Sequence, residues 1–362
     1  MRDNSRLIPV MRPKLPGTEA LKPFMEEIEN RRIYSNFGPL NQRLIEQLAS
    51  HFNVVPQSVL LVTNGTLGIQ SAIATSSPQN SVWSLPTWTF VATAQAAISA
   101  GVKFQLEDPN SDTWMINSCD IRGTDGVIPV TPFGKKPNIQ EWVSESKKRP
   151  VIIDAASCFD SCNDLSMVQH HNIAVMVSLH ATKLVSTGEG GVMIGPENWI
   201  TQMKKWINFG FHGDRIAKVS GTNAKMSEFN CAVGLASLSE WSKTREQWAI
   251  ISSKMIRILE TFDIAPQISF SEGNVSSTLV GQVQSAEIKM RIVETLKLEE
   301  IETRDWWASG LHQMPIFCNS ATNNFPNADN IAAKTIGFPL YLDMTNDDLN
   351  RVKLALQRSL SK

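Results

Sequence analysis

The fold of this chain is decided by three short apolar runs, Val151-Ile152-Ile153, Ala174-Val175-Met176-Val177 and Gly191-Val192-Met193-Ile194. Each run is continuous rather than alternating, which is typical of strands buried on both faces of a mainly parallel sheet. Outward from them, further strands are predicted at 59–62, 82–85 and 127–130, and helices between strands at 66–75, 90–100 and 139–147. This alternation predicts an α/β fold whose mainly parallel central sheet is flanked by helices.

The sequence pattern changes after residue 226. Long helical periodicity extends over 226–262, shorter strand-like pieces follow, and a last helix is predicted at 346–359. We interpret this part as a smaller C-terminal α+β domain. The expected organisation is therefore a large domain with an N-terminal arm over 1–245 and a small domain over 246–362.

Composition excludes several classes of protein. The 362 residues include 34 Lys and Arg against 35 Asp and Glu, so the net charge of -1 provides no field that attracts nucleic acid or a membrane. No stretch approaches the about 18 uninterrupted apolar residues of a membrane span, and residues 1–17 lack the apolar core of a secretory signal. Five dispersed cysteines indicate neither a disulfide framework nor a zinc site. We expect a cytoplasmic protein without metal, nucleic-acid or membrane partners.

Two charged residues directly follow predicted strands, where the ligand crevice of an open α/β sheet lies. Asp154 follows the run at 151–153. A buried carboxylate there needs a cation or a protonated ring nitrogen as its partner, although an Asp at this place also caps helices. Lys183 follows the run at 174–177 and precedes Gly188-Glu189-Gly190-Gly191. In a crevice it can lose its proton and act as a Schiff-base nucleophile, whereas most loop lysines lie in solvent.

Two further segments add to this pattern. Asn64-Gly65-Thr66-Leu67-Gly68 joins a strand to a helix, so its amide groups and the helix N-terminus suit an anion, although many such turns look alike. Thr87-Trp88-Thr89-Phe90 follows another strand and offers an aromatic ring to a planar heterocycle, or to the core. A phosphate cradle, an aromatic plate, a carboxylate and a lysine together describe a pyridoxal phosphate site.

With these residues the chain resembles the DegT/DnrJ/EryC1/StrS family of nucleotide-sugar aminotransferases, which are pyridoxal phosphate enzymes of fold type I. The resemblance runs nearly end to end. It is most specific in Ser178-Leu179-His180-Ala181-Thr182-Lys183 with the following Gly188–Gly191 turn, and in Gly221-Thr222-Asn223-Ala224-Lys225-Met226-Ser227-Glu228. Other matching segments lie at 36–40, 64–66, 86–93 and 337–340.

The resemblance implies a role for each matching residue. Lys183 would bind the cofactor covalently and shuttle protons, and Asp154 would keep the pyridine nitrogen protonated. The other implied cofactor contacts are Thr66, the Leu67 backbone and Ser178 at the phosphate, Phe90 (or alternatively Trp88) at the ring, and Asn223 at the phosphate of the neighbouring subunit. The last contact implies a homodimer with shared active sites.

The sequence departs from the family pattern at two positions. Ser157 stands where a glutamine usually contacts the ring hydroxyl, and it is too short to make that contact directly, although we retain it among the cofactor-binding residues. Lys225 stands where arginine is common. In the segment 303–312, a cation and flat aromatics suit a diphosphate and a base, although its tryptophans could equally be core. The predicted substrate-binding residues are His180, His212, Arg304 and Trp307.

The implied reaction transfers an amino group from L-glutamate to a keto group of a nucleotide-linked deoxysugar. The motif sequences most resemble those of viosamine-type enzymes, which aminate C4 of dTDP-4-keto-6-deoxyglucose. The resulting amino sugar is used in cell-surface glycans such as the O-antigen of lipopolysaccharide. Amination at C3 and GDP- or UDP-linked substrates stay open. Two other hypotheses are a non-catalytic regulator that binds pyridoxal phosphate and a desulfurase, which would need a reactive thiol at Cys231 or Cys318.

Overall fold

The computed structural model describes residues 7–266, 273–318 and 324–360. In these ranges the first seven strands form one mixed sheet, in the order β1-β7-β6-β5-β4-β2-β3. Strand β7 runs antiparallel to both neighbours, β1 and β6, and the remaining pairs are parallel, which confirms the mainly parallel sheet. The strands are β1 (Val59–Val62), β2 (Val82–Pro86), β3 (Lys103–Glu107), β4 (Gly126–Val127), β5 (Val151–Asp154), β6 (Ile173–Ser178) and β7 (Gly191–Ile194).

Helices cover both faces of this sheet, and the strands supply residues to two separate cores. In β5, Val151 and Ile153 pack into one core and Ile152 into the other. The apolar runs are continuous for this reason, since both faces of each strand are buried. The helices are α1 (Thr18–Arg31), α2 (Pro39–His51), α3 (Gly65–Ser76), α4 (Val91–Ser99), α5 (Ile139–Ser146), α6 (Glu197–Trp206), α7 (Glu228–Ser239), α8 (Trp241–Glu260), α9 (Ala286–Leu298), α10 (Pro326–Lys334) and α11 (Asn346–Leu360).

A second, smaller sheet lies in the C-terminal part. Its strands β8 (Ala265–Pro266), β9 (Leu279–Gln282) and β10 (Thr335–Phe338) pair antiparallel in the order β10-β9-β8, and α9 packs against α11. Helix α8 continues through the boundary expected between residues 245 and 246, so that division stays a prediction. Within the described ranges, no helix has the length and apolar character needed to cross a membrane.

The directions of the strands determine where the predicted polar residues lie. Strands β1 and β6 are both antiparallel to β7, so they run parallel to each other and to β5 and β2. The carboxyl ends of β5 and β6 are Asp154 and Ser178, and the turn after β1 leads into α3. These polar positions therefore meet at one edge of the sheet, where ligands bind in folds of this kind.

Candidate active site

A cavity of about 410 Å³ lies at this edge of the sheet. Most of the predicted site residues line it, namely Thr66, Phe90, Asp154, Ser157, Ser178, His180, Lys183, Arg304 and Trp307. Leu67, Asn223 and His212 do not line it. The fold thus brings nine residues from five separate segments of the chain to one space.

Asp154 ends β5 as a buried carboxylate, 5% exposed. Its Oδ2 accepts a hydrogen bond from Thr93 Oγ1 at 2.7 Å, and its Oδ1 accepts one from the Ala156 amide at 3.2 Å. Burial raises the pKa of Asp154, although these hydrogen bonds and the charge of Lys183 oppose the shift. A protonated ring nitrogen would supply the cation that this buried carboxylate needs, so the residue fits pyridoxal phosphate.

Lys183 extends into the same cavity from a turn whose Lys183 amide donates to the His180 carbonyl at 2.9 Å. Its Nζ donates a hydrogen bond to Ser157 Oγ at 2.7 Å. Burial lowers the pKa of Lys183, and the nearby Asp154 and Cys158 partly oppose this shift. A lysine with a lowered pKa is more often neutral, which is the state in which its amine is a nucleophile.

The N-terminus of α3 faces the cavity through Gly65 and Thr66. A Cβ at Gly65 would lie 2.7 Å from Met176 Sδ, so a larger residue there would require the Met176 side chain to move. The Leu67 amide donates to Asn64 Oδ1 at 2.9 Å, and this contact caps the helix. Thr66 on the helix and Ser178 at the end of β6 leave hydroxyls beside this positive helix end, which suits a phosphate.

Aromatic side chains form one wall of the cavity. Phe90 lines it and is 55% exposed, whereas Trp88 is buried and packs edge-on against Trp307 with ring centroids 5.4 Å apart. Trp307 also stacks on Phe133 at 4.3 Å. Of Phe90 and Trp88, Phe90 is therefore the ring that can contact a ligand, and Trp307 belongs both to the core and to the cavity wall.

Arg304 provides a cation at the C-terminal side of the cavity. Its backbone bridges to β10, since the Arg304 amide donates to the Gly337 carbonyl at 3.0 Å and the Gly337 amide donates to the Arg304 carbonyl at 2.8 Å. Its guanidinium lies over the Trp306 ring, 4.9 Å from the centroid. Trp306 also lines the cavity. An arginine held on a flat aromatic suits a phosphate next to a base.

His180 has a defined orientation at the cavity. Its Nδ1 lies 2.9 Å from Thr182 Oγ1 and accepts a hydrogen bond from the Thr182 amide at 3.3 Å, which leaves Nε2 to face Glu189 Oε1 at 3.5 Å. Glu189 and Thr93 are not predicted from the sequence as functional residues. Both lie inside the segments that carry the predicted site, but only the packing shows that Glu189 lines the cavity and that Thr93 donates to Asp154.

The remaining predicted residues lie away from this cavity. Asn223 Oδ1 accepts a hydrogen bond from Lys225 Nζ at 2.6 Å, and His212 is exposed on the loop after α6. No cysteine of the described residues lines the cavity. Burial raises the pKa of Cys231 to about 12, which makes it a poor thiolate nucleophile and disfavours a desulfurase.

Similarity to known proteins agrees with this geometry. Residues 17–357 match the DegT/DnrJ/EryC1/StrS aminotransferase family. The chain is 25% identical to the dTDP-4-amino-4,6-dideoxy-D-glucose transaminase of Escherichia coli, over 95% of this chain and 96% of that protein. The enzyme of the same name from Shigella dysenteriae is 31% identical over 63% of this chain and 64% of its own length.

The solved structure of DesI in the presence of its TDP-sugar product has the same fold. It superposes with a TM-score of 0.86 at 22% identity, covering 98% of this chain and 93% of that chain. The predicted fold type I architecture is thereby confirmed. The chain belongs to the DegT/DnrJ/EryC1/StrS aminotransferase family, and it is a sugar aminotransferase that uses pyridoxal phosphate.

Proposed function

We propose that this enzyme transfers an amino group from L-glutamate to the C4 keto group of dTDP-4-keto-6-deoxyglucose. The observation that carries the proposal is the single cavity that holds a buried carboxylate, a lysine of lowered pKa and an arginine beside a flat aromatic. The names of the two relatives support a dTDP-linked 4-amino sugar. The product would serve cell-surface glycans such as O-antigen, and the reaction would take place in the cytoplasm.

Bound pyridoxal phosphate supplies an electron sink for the carbon that loses its proton. Neutral Lys183 Nζ takes the proton from the donor carbon and returns a proton in the second half of the reaction. Asp154 holds a proton on the pyridine nitrogen, and its hydrogen bonds from Thr93 and Ala156 fix the carboxylate for this task. Thr66 and Ser178 would hold the phosphate, and Phe90 would contact the ring.

The substrate end of the site is proposed to lie at the C-terminal side of the cavity. Arg304 would pair with the diphosphate, and Trp306 and Trp307 would contact the nucleotide or sugar as flat apolar surfaces. His180 would donate from Nε2 to a sugar oxygen, because its Nδ1 is already occupied. The GDP- and UDP-linked sugars and the C3 position are the alternatives that the assay must separate.

We further propose a homodimer in which Asn223 and His212 act in the partner's site, since neither lines the cavity of its own subunit. An apolar surface supports this arrangement. Tyr34 and Phe229 stack at 6.0 Å between centroids and are 50% and 44% exposed. Such a surface is suited to burial against a second copy. Sedimentation analysis should give twice the chain mass, and a monomer that is fully active would contradict the shared site.

The first experiment records the visible absorption spectrum of the purified protein before and after addition of L-glutamate. A yellow band that is lost on adding glutamate supports glutamate as the donor. The glutamate-treated protein is then mixed with dTDP-, GDP- and UDP-linked keto sugars, and NMR of the product locates the new amine at C3 or C4. A band that ignores glutamate would refute the donor, and no band after adding pyridoxal phosphate would refute the roles of Lys183 and Asp154.

A further inference from the structure

Ser157 lies on a short turn that is tied to the central sheet. The Ala155 amide donates to the Met176 carbonyl at 2.9 Å, which links the start of the turn to β6. The Cys158 amide donates to the Ala155 carbonyl at 2.9 Å, which closes the turn around Ser157. The Ser157 side chain is therefore held in one place at the cavity wall.

The Lys183 side chain reaches this serine from another fixed turn. The Lys183 amide is bonded to the His180 carbonyl, and the Thr187 amide donates to the Leu179 carbonyl at 2.8 Å. From there Nζ donates to Ser157 Oγ at 2.7 Å, a normal length for a good hydrogen bond. The reactive amine thus has a neutral hydroxyl as its acceptor.

A neutral acceptor suits this amine better than a charged one. The charged or titratable groups around it are Asp154, Cys158, His180, Glu189 and Arg304. A carboxylate in direct contact would stabilise the ammonium form and remove the nucleophile. A serine hydroxyl fixes the direction of the amine without adding a charge.

We propose that Ser157 is a positioning residue for Lys183, whose Oγ accepts from Nζ whenever the amine is released from the cofactor. Lysine has four rotatable side-chain bonds, and this contact returns the nucleophile to one position between the two halves of the reaction. The short side chain at the position of the family's glutamine then serves the lysine rather than the ring hydroxyl. The inference rests on the proposed covalent role of Lys183 and on no particular sugar.

The test removes pyridoxal phosphate from the full-length protein and measures how fast the visible band returns when the cofactor is added back, from pH 6 to 10. Ser157→Ala should slow this reaction about 3- to 10-fold, the factor expected from one hydrogen bond. The midpoint of its pH profile should move to lower pH, because an acceptor stabilises the ammonium more than the amine. Ser157→Thr keeps the hydroxyl and should restore both values to within about twofold of the parent.

Ser161→Ala is the matched control. Ser161 is a buried serine on the same segment, and its hydroxyl donates to the Cys158 carbonyl at 3.2 Å rather than contacting the lysine amine. It should leave the rate and the pH midpoint unchanged. A parental rate and midpoint in Ser157→Ala would overturn the proposal.

A second measurement separates positioning from direct cofactor binding. In a Lys183→Ala background, adding Ser157→Ala should leave the Kd for pyridoxal phosphate unchanged, and a tenfold weaker Kd would make Ser157 a cofactor contact instead. Neither assay contains glutamate or a nucleotide sugar, so failure of the proposed donor or substrate does not affect them. If the parent protein itself forms no band, the proposed role of Lys183 fails, and the role of Ser157 fails with it. A parent that forms the band while Ser157→Ala behaves like it contradicts the role of Ser157 alone.

Discussion

Replacing Asp154 with Asn separates two effects of the buried carboxylate. One is its cost to the stability of the fold, and the other is its proposed contact with the cofactor. Asparagine has nearly the same shape, so Oδ1 can still accept from the Ala156 amide, and Nδ2 can donate to Thr93 Oγ1. The charge is the main property that changes. The cofactor-free Asp154→Asn protein should be more stable than the parent at neutral pH, yet it should be nearly inactive.

The magnitude follows from the contacts of the carboxylate. An ionised group buried at this depth loses several kcal/mol of hydration, and its two hydrogen bonds offset about 1.5–3 kcal/mol each. The remaining cost is about 1–2 kcal/mol, which corresponds to roughly 1–3 °C in Tm for a chain of this length. The pKa of Asp154 is raised in the folded state, so the folded protein favours the protonated acid. The advantage of the Asp154→Asn variant should therefore be full at neutral pH and vanish in acid, where the parent's Asp154 is protonated in the folded and unfolded states alike.

Thermal unfolding of both cofactor-free proteins between pH 4 and 8 measures the stability effect, and adding pyridoxal phosphate measures the linkage. The parent should gain stability from the cofactor, while the variant should gain less and lose at least about 100-fold in kcat. If the variant is less stable than the parent at every pH, the carboxylate is a structural cap. Full activity in the variant would refute its role at the ring nitrogen.

Three other substitutions test the site and its frame. Lys183→Ala should abolish turnover and the lysine-bound visible band while the circular dichroism spectrum stays parental; residual normal turnover would exclude the assigned role. Arg304→Ala should raise KM for the nucleotide sugar about 10-fold or more and KM for glutamate much less, with partial recovery in Arg304→Lys, whereas equal effects on both would argue against a diphosphate contact. Glu228→Ala should lower the free energy of unfolding, measured in urea, by about 2–4 kcal/mol. The reason is that the buried Glu228 carboxylate accepts hydrogen bonds from the Leu40 and Asn41 amides at 2.8 and 2.9 Å. A loss below about 0.5 kcal/mol would contradict this structural role.

The central strands could be predicted because burial on both faces leaves a continuous apolar signature. Strand β3 escaped prediction for the opposite reason. It lies at the edge of the sheet, and of its five residues only Leu106 is buried. The strand predicted at 127–130 ends early, at Val127, because Pro129 has no amide to continue the ladder. The composition of a segment therefore predicts whether it is buried better than it predicts which strands it pairs with.

The residues that line the cavity were predictable where they lie at the end of a strand, as at Asp154 and Ser178. The site was less predictable where a side chain acts from another element. The contribution of Thr93 depends on a hydrogen bond between α4 and the end of β5, which no local pattern contains. Phe229 shows a further limit, since it is an apolar residue within the helical periodicity of 226–262, yet it is 44% exposed. An apolar stripe predicts that a surface is to be covered and does not say whether the core or a second chain covers it.

The pKa values of Asp154 and Lys183, the two residues proposed to carry the chemistry, are shifted in opposite directions by the same cause. Burial favours the neutral form of both Asp154 and Lys183, and each shift is only partly opposed by the charge of the other residue. A sequence optimised for stability alone would place apolar side chains here, because a buried ion pair seldom outweighs its hydration loss. A ligand with a ring nitrogen that takes a proton and an aldehyde that reacts with a neutral amine satisfies both groups together. The cavity therefore holds two charged residues that need a ligand to balance them. This is typical of a functional site and not of a packing defect.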